Sequence, residues 1–315
     1  MEPASIGSPA LWACFVLFVL LMLALDLGVF NKKDHVVGFR EAATWSGVWI
    51  SLAMLFNAGL FWKFGAEHGL EFLTGYLIEK SLSVDNIFVF IVIFSAFRIP
   101  PEYQHRVLYW GIVSALVMRA IMIFVGAAMI TRFHWLIYVF GVFLIVTGVR
   151  LYLDRNKEEH PEDSRAMQLI RRIVPSTERF DGHKFFTIEN GRRVATPLLM
   201  TLIMIEITDV IFAVDSIPAI FAVTTDPFIV FTSNIFAILG LRSLYFILAS
   251  LVDKFRYLKV GLAAVLLFVG VKMTLMDIYK IPSLISLALI AATLGISIVA
   301  SFKASKREAL QQQSS

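Results

Sequence analysis

Carboxylates occur inside two long apolar stretches of the sequence, where charged side chains are rare. Glu206, Asp209 and Asp215 lie in the stretch EITDVIFAVDSIP, and Glu79 and Asp85 lie in the stretch EKSLSVDN. A charged side chain at the depth of the bilayer core costs roughly 2.5–3.5 kcal/mol on insertion scales. Such side chains face a bundle interior or a wet cavity and have partners there. These five carboxylates are therefore the first candidates for a functional site.

The side chains around these carboxylates indicate which ion such a site would bind. Asn86 and Ser216 add neutral oxygen donors beside the acidic residues, and no histidine or cysteine lies near either motif. Oxygen ligands suit Mg²⁺, Ca²⁺ and Mn²⁺, whereas thiolate and imidazole suit softer metals. We therefore expect a site for a hard divalent cation. Ligand chemistry alone leaves Mn²⁺, Mg²⁺ and Ca²⁺ as alternatives.

Basic residues in the same apolar stretches provide a structural alternative. Lys80, Arg119, Arg242 and Lys272 could form internal salt bridges that fix the packing of helices. We expect Lys80, Arg119 and Arg242 to act as counter-charges to the carboxylates. For Glu206, a structural role and a role as a ligand remain equally open.

Pro218 lies three residues after Asp215 and predicts a break in that helix. A proline cannot donate a backbone hydrogen bond, and its ring clashes with the carbonyl group four residues earlier. We expect the chain to leave helical geometry at this point. The freed carbonyl groups would then be available as further metal ligands.

The composition predicts an all-α polytopic membrane protein. Of 315 residues, 58% are hydrophobic and only 17% are charged, which excludes an ordinary soluble domain. The formal charge of +4 does not indicate nucleic-acid binding, because basic residues concentrated in one set of loops produce the same value. The single cysteine, Cys14, excludes a disulfide or CxxC pair within the chain.

Nine stretches are long enough to cross a bilayer, which needs about 20 apolar residues each. They lie at about 10–30, 44–64, 72–96, 107–130, 135–153, 196–222, 228–250, 260–277 and 283–302. Lysines and arginines are concentrated in the loops after spans 1, 3, 5 and 7 and in the C-terminal tail. The opposite loops hold only Lys63, Arg132 and Lys280. The positive-inside rule therefore predicts an outside N-terminus and a cytoplasmic C-terminus.

Two groups of three spans have similar sequences. Glu79-x5-Asp85-Asn86-Ile87 in span 3 matches Asp209-x5-Asp215-Ser216-Ile217 in span 6, Arg119 matches Arg242, and IVTGVRLYLD matches FVGVKMTLMD. Because each group has three spans, the second is inserted upside down relative to the first, as in many secondary transporters. The predicted organisation is spans 1 and 2 (1–71), a first repeat (72–153), a cytoplasmic loop (154–195), an inverted repeat (196–277), and span 9 with a tail (278–315).

Two further features concern the loop and the class of protein. The loop 154–195 predicts a short amphipathic helix at 161–175, followed by a β-hairpin that turns at Asn190-Gly191. The sequence contains no GxGD, HExxH or GxSxG motif, which argues against a membrane protease or a serine hydrolase. We expect the protein not to be an enzyme.

The acidic motifs resemble the two signature segments of the TerC family of integral membrane proteins. The similarity is carried by EKSLSVDNIFVF and EITDVIFAVDSIPAIFAVT and extends over about residues 10–302. Phe185 to Pro197 also resembles the loop of the family's alkali-inducible Alx-type branch. The resemblance implies a multi-pass protein of the bacterial inner membrane that exports Mn²⁺, with the acidic residues implicated. Manganese thus enters through the resemblance, as the transported ion and not as a cofactor.

We therefore expect a transporter that binds Mn²⁺ between spans 3 and 6 and releases it outward by alternating access. Proton antiport is a further expectation, since carboxylates that share a site lose protons when a metal binds. The alternative is a non-transporting scaffold in a metal-loading or tellurite-resistance complex. The expected partners are the metal ion and the lipid bilayer; a homo-oligomer or secreted metalloenzyme partners stay open.

Overall fold

A computed structural model describes residues 5–25, 37–133, 135–153, 174–189, 191–249, 257–279 and 281–314. These residues form ten helices and one hairpin of two strands. In chain order the elements are α1 (Pro9–Leu25), α2 (Phe39–Phe64), α3 (Ala66–Ala96), α4 (Pro101–Arg132), α5 (Leu136–Leu153), β1 (Phe186–Glu189), β2 (Arg192–Ala195), α6 (Pro197–Phe221), α7 (Pro227–Leu239), α8 (Leu241–Ala249), α9 (Leu258–Thr274) and α10 (Ser283–Ser314).

Each of the nine apolar stretches contains a helix, and the seventh contains two, α7 and α8. Five of the described helices are long and apolar enough to cross a bilayer, and α7 with α8 makes a sixth candidate if the bent pair is one span. The predicted class, a mostly helical polytopic membrane protein, is confirmed at this level. Nine spans and inverted repeats stay predictions.

Helix α7 lies at the centre of the bundle. All its residues from Phe228 to Leu239 are buried, and α7 packs against α3 and α4. A helix that is apolar all round is typical of a position surrounded by other helices. Helices α3 and α6, which carry the acidic motifs, pack against each other and position those motifs inside the bundle.

A bend that the sequence analysis did not predict separates α7 from α8 at Gly240. The two helices meet at an angle of 42°. A Cβ atom at Gly240 would lie 2.7 Å from the Nζ atom of Lys80 and 3.3 Å from the Cβ atom of Trp49. Lys80 Nζ donates a hydrogen bond to the carbonyl oxygen of Ala237, at 3.2 Å. The ammonium group thus binds at the C-terminal end of α7, where carbonyl groups lack helical donors and the helix dipole favours a cation.

The predicted helix break at Pro218 is wrong. Helix α6 continues from Pro197 to Phe221, and the carbonyl oxygen of Pro218 accepts a helical hydrogen bond from Ala222 at 3.0 Å. Pro218 is buried and lies in the last turn of α6, so the helix loses only one backbone donor near its end. Packing against the neighbouring helices holds the backbone in helical geometry there. The carbonyl group of Val214 therefore lacks its usual donor four residues later, but the backbone around it stays helical and does not open as predicted.

Helices α5 and α9 approach each other closely at glycines. A Cβ atom at Gly270 would lie 2.7 Å from the carbonyl oxygen of Gly141, and a Cβ atom at Gly141 would lie 3.0 Å from that of Gly270. About two turns away along α5, a Cβ atom at Gly148 would lie 3.0 Å from the carbonyl oxygen of Ala263. Small residues let helix backbones approach in membranes, where packing rather than hydrophobicity drives association.

The predicted hairpin is confirmed. Strands β1 and β2 are antiparallel, with Glu189 opposite Arg192, and Gly191 has a φ of 74° as a tight turn requires. Asn190 and the predicted helix at 161–175 lie outside the described residues, apart from the last two positions of that helix. Outside the bundle, hydrogen bonds from Lys184 and Thr187 lower the pKa of Asp181.

We predict that Gly270→Ala destabilises the folded protein by about 1–3 kcal/mol, the usual effect of overpacking a tight contact. The matched control is Gly295→Ala in α10, where a Cβ atom meets nothing within 4 Å. That substitution should leave stability unchanged or raise it slightly, because alanine has the higher helix propensity. Denaturant unfolding in detergent measures both. Equal effects of the two substitutions would contradict the close approach of α5 and α9.

Candidate functional site

Arg119 of α4 lies between the two acidic motifs. Its side chain is only 1% exposed. Nε donates to Asp209 Oδ2 at 3.1 Å and Nη2 donates to Asp209 Oδ1 at 2.7 Å, while Nη1 donates to Glu79 Oε1. The guanidinium group thus joins a carboxylate of α3 to a carboxylate of α6. Planar guanidinium suits such bidentate pairing, which lysine cannot reproduce.

Three buried oxygen atoms beside this ion pair have no hydrogen-bond partner among the described residues. They are Glu79 Oε2, Asn86 Oδ1 and Ser216 Oγ. The amide of Asn86 donates through Nδ2 to Asp209 Oδ1 at 3.5 Å, which leaves its oxygen as the atom without a partner. Buried polar atoms are normally satisfied by protein or water, so three together point to a ligand or water that they would bind.

These three residues line one cavity together with Asp215. The cavity has a volume of about 80 Å³ and is bounded by α3, α5, α6 and α9. A single water molecule needs about 10–15 Å³ by the same kind of measure. The cavity therefore has room for an ion with part of its hydration shell. We call it the acidic cavity; its polar lining is Glu79, Asn86, Thr147, Asp215 and Ser216.

Asp215 is half-buried and lines this cavity. Thr147 Oγ1 of α5 donates to Asp215 Oδ1 at 3.2 Å. Sequence reasoning missed Thr147, because a lone threonine in an apolar helix usually bonds its own backbone. The only signal was its place in the TGVR segment that resembles part of span 8. A hydroxyl group there orients the carboxylate while leaving it in the cavity.

A second, smaller cavity lies on the other side of Arg119. Glu206, Asp209 and Arg242 line it, and its volume is about 10 Å³, no more than one water molecule. Glu206 Oε1 is buried without a hydrogen-bond partner among the side chains that the structure describes. We call this second cavity the inner cavity. Glu206 thus lies apart from the acidic cavity.

The remaining predicted residues have different positions. Lys80 contacts the end of α7, as described above, rather than a described carboxylate. Asp85 lies in α3, but its side chain is outside the described part of the structure. Within the described residues, no three His, Cys, Asp or Glu side chains form a group able to hold a metal ion. The predicted carboxylates are thus divided between an ion pair and two cavities.

The sequence model of the "Integral membrane protein TerC family" matches residues 64–309. An uncharacterized membrane protein of Myxococcus xanthus is 69% identical over 297 residues, 94% of this chain and 93% of that protein. A protein of Photorhabdus laumondii that is provisionally named membrane-bound redox modulator Alx is 46% identical to this chain. The match covers 98% of this chain and 99% of that protein. The protein of the same name in Escherichia coli K12 is 46% identical over 94% of this chain and 95% of its own length. No solved structure matches the chain.

We predict that Asp209→Asn and Asp215→Asn differ in their effect on stability. Asp209→Asn removes a carboxylate that holds a buried arginine at two points, and should lower the unfolding free energy by about 3–5 kcal/mol. Asp215→Asn should change it by less than about 0.5 kcal/mol, because its described hydrogen bond comes from a neutral hydroxyl. Denaturant unfolding in detergent distinguishes them. A larger loss for Asp215→Asn would contradict this division of the carboxylates.

Proposed function

Because the chain belongs to the TerC family of integral membrane proteins, we propose that it exports divalent manganese from the cytoplasm. Mn²⁺ is the transported substrate and binds transiently in the acidic cavity. The observation that carries the proposal is the group of three buried oxygen atoms without partners in one cavity with Asp215. An intramembrane ionisable residue with such neighbours is a candidate for a functional site, and an ion pathway is one of the common roles.

The donor chemistry favours a hard cation. Glu79 and Asp215 supply two carboxylates, and Asn86 and Ser216 supply a carbonyl oxygen and a hydroxyl oxygen. Mn²⁺, Mg²⁺ and Ca²⁺ accept all of these ligands, whereas softer metals prefer sulfur or imidazole. The two carboxylates also match the charge of one divalent ion. The choice of manganese rests on the family resemblance, and competition between Mn²⁺ and Mg²⁺ tests it.

A reciprocal pattern of contacts supports two inverted repeats. When Gly148-Val149-Arg150 is matched to Gly270-Val271-Lys272, Gly141 corresponds to Ala263. The contact between Gly141 and Gly270 then exchanges with the contact between Ala263 and Gly148. Such an exchange is what a two-fold axis between α5 and α9 would produce. Transporters built this way bind substrate at the interface of the repeats.

The two ends of the bundle differ, and the end near Glu71 is the better candidate for the outward exit of the ion. A wide vestibule of about 640 Å³ lies at the start of α3 and the end of α6 and is lined in part by Glu71, Thr224 and Lys272. The hairpin lies at the other end: Ala195 of β2 pairs with Ser176, which lines a cavity together with Phe97 and Pro197. The positive-inside rule makes the hairpin end cytoplasmic. We propose that Mn²⁺ passes from the acidic cavity along α3, α6 and α9 to this vestibule, in the inner membrane of a bacterium.

A non-transporting scaffold in a metal-loading or tellurite-resistance complex is the second candidate. The relatives of Photorhabdus laumondii and Escherichia coli are named redox modulators, which makes a redox role a further alternative to test. A dithiol switch within one chain is excluded, because the sequence has a single cysteine, Cys14. Three buried oxygen atoms without described partners share one cavity with Asp215, and this grouping favours the transporter, because an ion site needs such a group and a scaffold does not.

We predict that Asp215→Asn lowers Mn²⁺ flux into proteoliposomes at least tenfold. The purified variant should still elute from a size-exclusion column as a folded species. Removing one of two carboxylates leaves the ion with an uncompensated charge in the cavity. Glu189→Gln on the exposed hairpin serves as the matched control and should leave flux unchanged. Mn²⁺ flux that Asp215→Asn leaves intact would favour the scaffold.

Thr147→Val tests the position of the carboxylate rather than its charge. The substitution keeps the shape of the side chain and removes the hydrogen bond to Asp215. Because a free carboxylate adopts more rotamers, we expect weaker Mn²⁺ binding, about threefold to tenfold, with the maximal flux retained. Flux measured against Mn²⁺ concentration, with Mg²⁺ as competitor, gives both values. A Thr147→Val protein with wild-type Mn²⁺ affinity would remove Thr147 from the site.

A further inference from the structure

We propose that Arg119 is a displaceable internal cation that competes with the transported metal for Glu79 and thereby sets the affinity of the acidic cavity. This inference rests on the proposed function and assigns a role to a residue outside the set of ligands. Arg119 would hold Glu79 when the cavity is empty and release it when a divalent ion arrives.

The position of Arg119 between two cavities is the first argument. Glu79 lines the acidic cavity, and Asp209 lines the inner cavity. Arg119 is bonded to both carboxylates and so lies on the boundary between these spaces. Any ion that moves from one cavity to the other passes a carboxylate that the guanidinium group already holds.

The hydrogen bonds of Arg119 are unequal. Two of its nitrogen atoms donate to Asp209, whereas one donates to Glu79. If Glu79 turns toward an ion in the acidic cavity, Arg119 keeps a bidentate partner and is not left as an unpaired buried charge. Bidentate pairs are the strong ones among such contacts. Arg119 therefore loses fewer hydrogen bonds when it releases Glu79 than it would lose by releasing Asp209.

Glu79 is suited to be shared. Its Oε1 accepts from Arg119, while its Oε2 is buried without a partner within the described residues. Asn86 and Ser216, which line the same cavity, also have a buried oxygen atom without a partner. A carboxylate that uses only one oxygen in its ion pair has a second one to offer to a metal ion.

The charges balance in the metal-bound state. Arg119 with Asp209 forms a neutral pair, and Glu79 with Asp215 neutralises one divalent cation. Unbalanced charges are expensive at low dielectric, so a doubly charged ion is the cation that this arrangement can take up without leaving a residual charge. A purely structural Arg119 would instead need to keep both carboxylates at all times.

The test compares Mn²⁺ binding to purified wild-type protein and to Arg119→Gln, together with flux in proteoliposomes. A competitor raises the apparent dissociation constant of its rival, so we expect Arg119→Gln to bind Mn²⁺ at least tenfold more tightly. Its maximal flux should fall, because no internal cation helps to displace the ion. Arg132→Gln, at the exposed end of the same helix, should match wild type in both measurements.

Arg119→Lys keeps the test decisive if Arg119→Gln does not fold. Lysine retains the charge but lacks the planar fork, so it competes less well and should give an intermediate affinity. Equal or weaker Mn²⁺ binding by a folded Arg119 variant would overturn this inference while leaving the proposed function in place. Wild-type protein that binds no Mn²⁺ would overturn the proposed function itself, and this inference with it.

Discussion

The buried ion pair of Arg119 with Glu79 and Asp209 is the interaction on which this bundle depends. It joins α4 to α3 and to α6, the two helices that carry the acidic motifs. A lone charge at this depth would cost several kcal/mol, and removing either partner of such a buried ion pair would leave an uncompensated charge. The ion pair therefore determines which carboxylates are engaged in structure and which remain available to a ligand.

Two kinds of carboxylate follow from this constraint. Asp209 is held at both oxygens, whereas Asp215 has a threonine hydroxyl and faces a cavity. Glu79 belongs to both groups, since one oxygen accepts from Arg119 and the other has no partner among the described side chains. A transport site needs ligands that are stable when empty and free enough to bind and release an ion. A carboxylate shared with an internal arginine meets both requirements.

The helices were predictable because a span needs an apolar run, and the hairpin because Asn190-Gly191 favours a tight turn. The bend at Gly240 was not predictable in this way, since the contact made there by Lys80 comes from another helix. The helix break predicted at Pro218 was wrong because the effect of a proline on a helix depends on how far it lies from the helix end. Local spacing identified the acidic residues and suggested Arg119 as a counter-charge. Which carboxylates Arg119 binds, and the contact of Thr147 with Asp215, are tertiary contacts that local spacing does not give.

The most direct measurement of the central claim is an experimental structure of the protein with bound Mn²⁺, located by anomalous scattering. We predict one strong peak in the acidic cavity, within ligand distance of Glu79 and Asp215, and an Arg119 side chain bonded to Asp209 but not to Glu79. A Mn²⁺ peak elsewhere in the bundle, with Arg119 still joined to both Glu79 and Asp209, would contradict it.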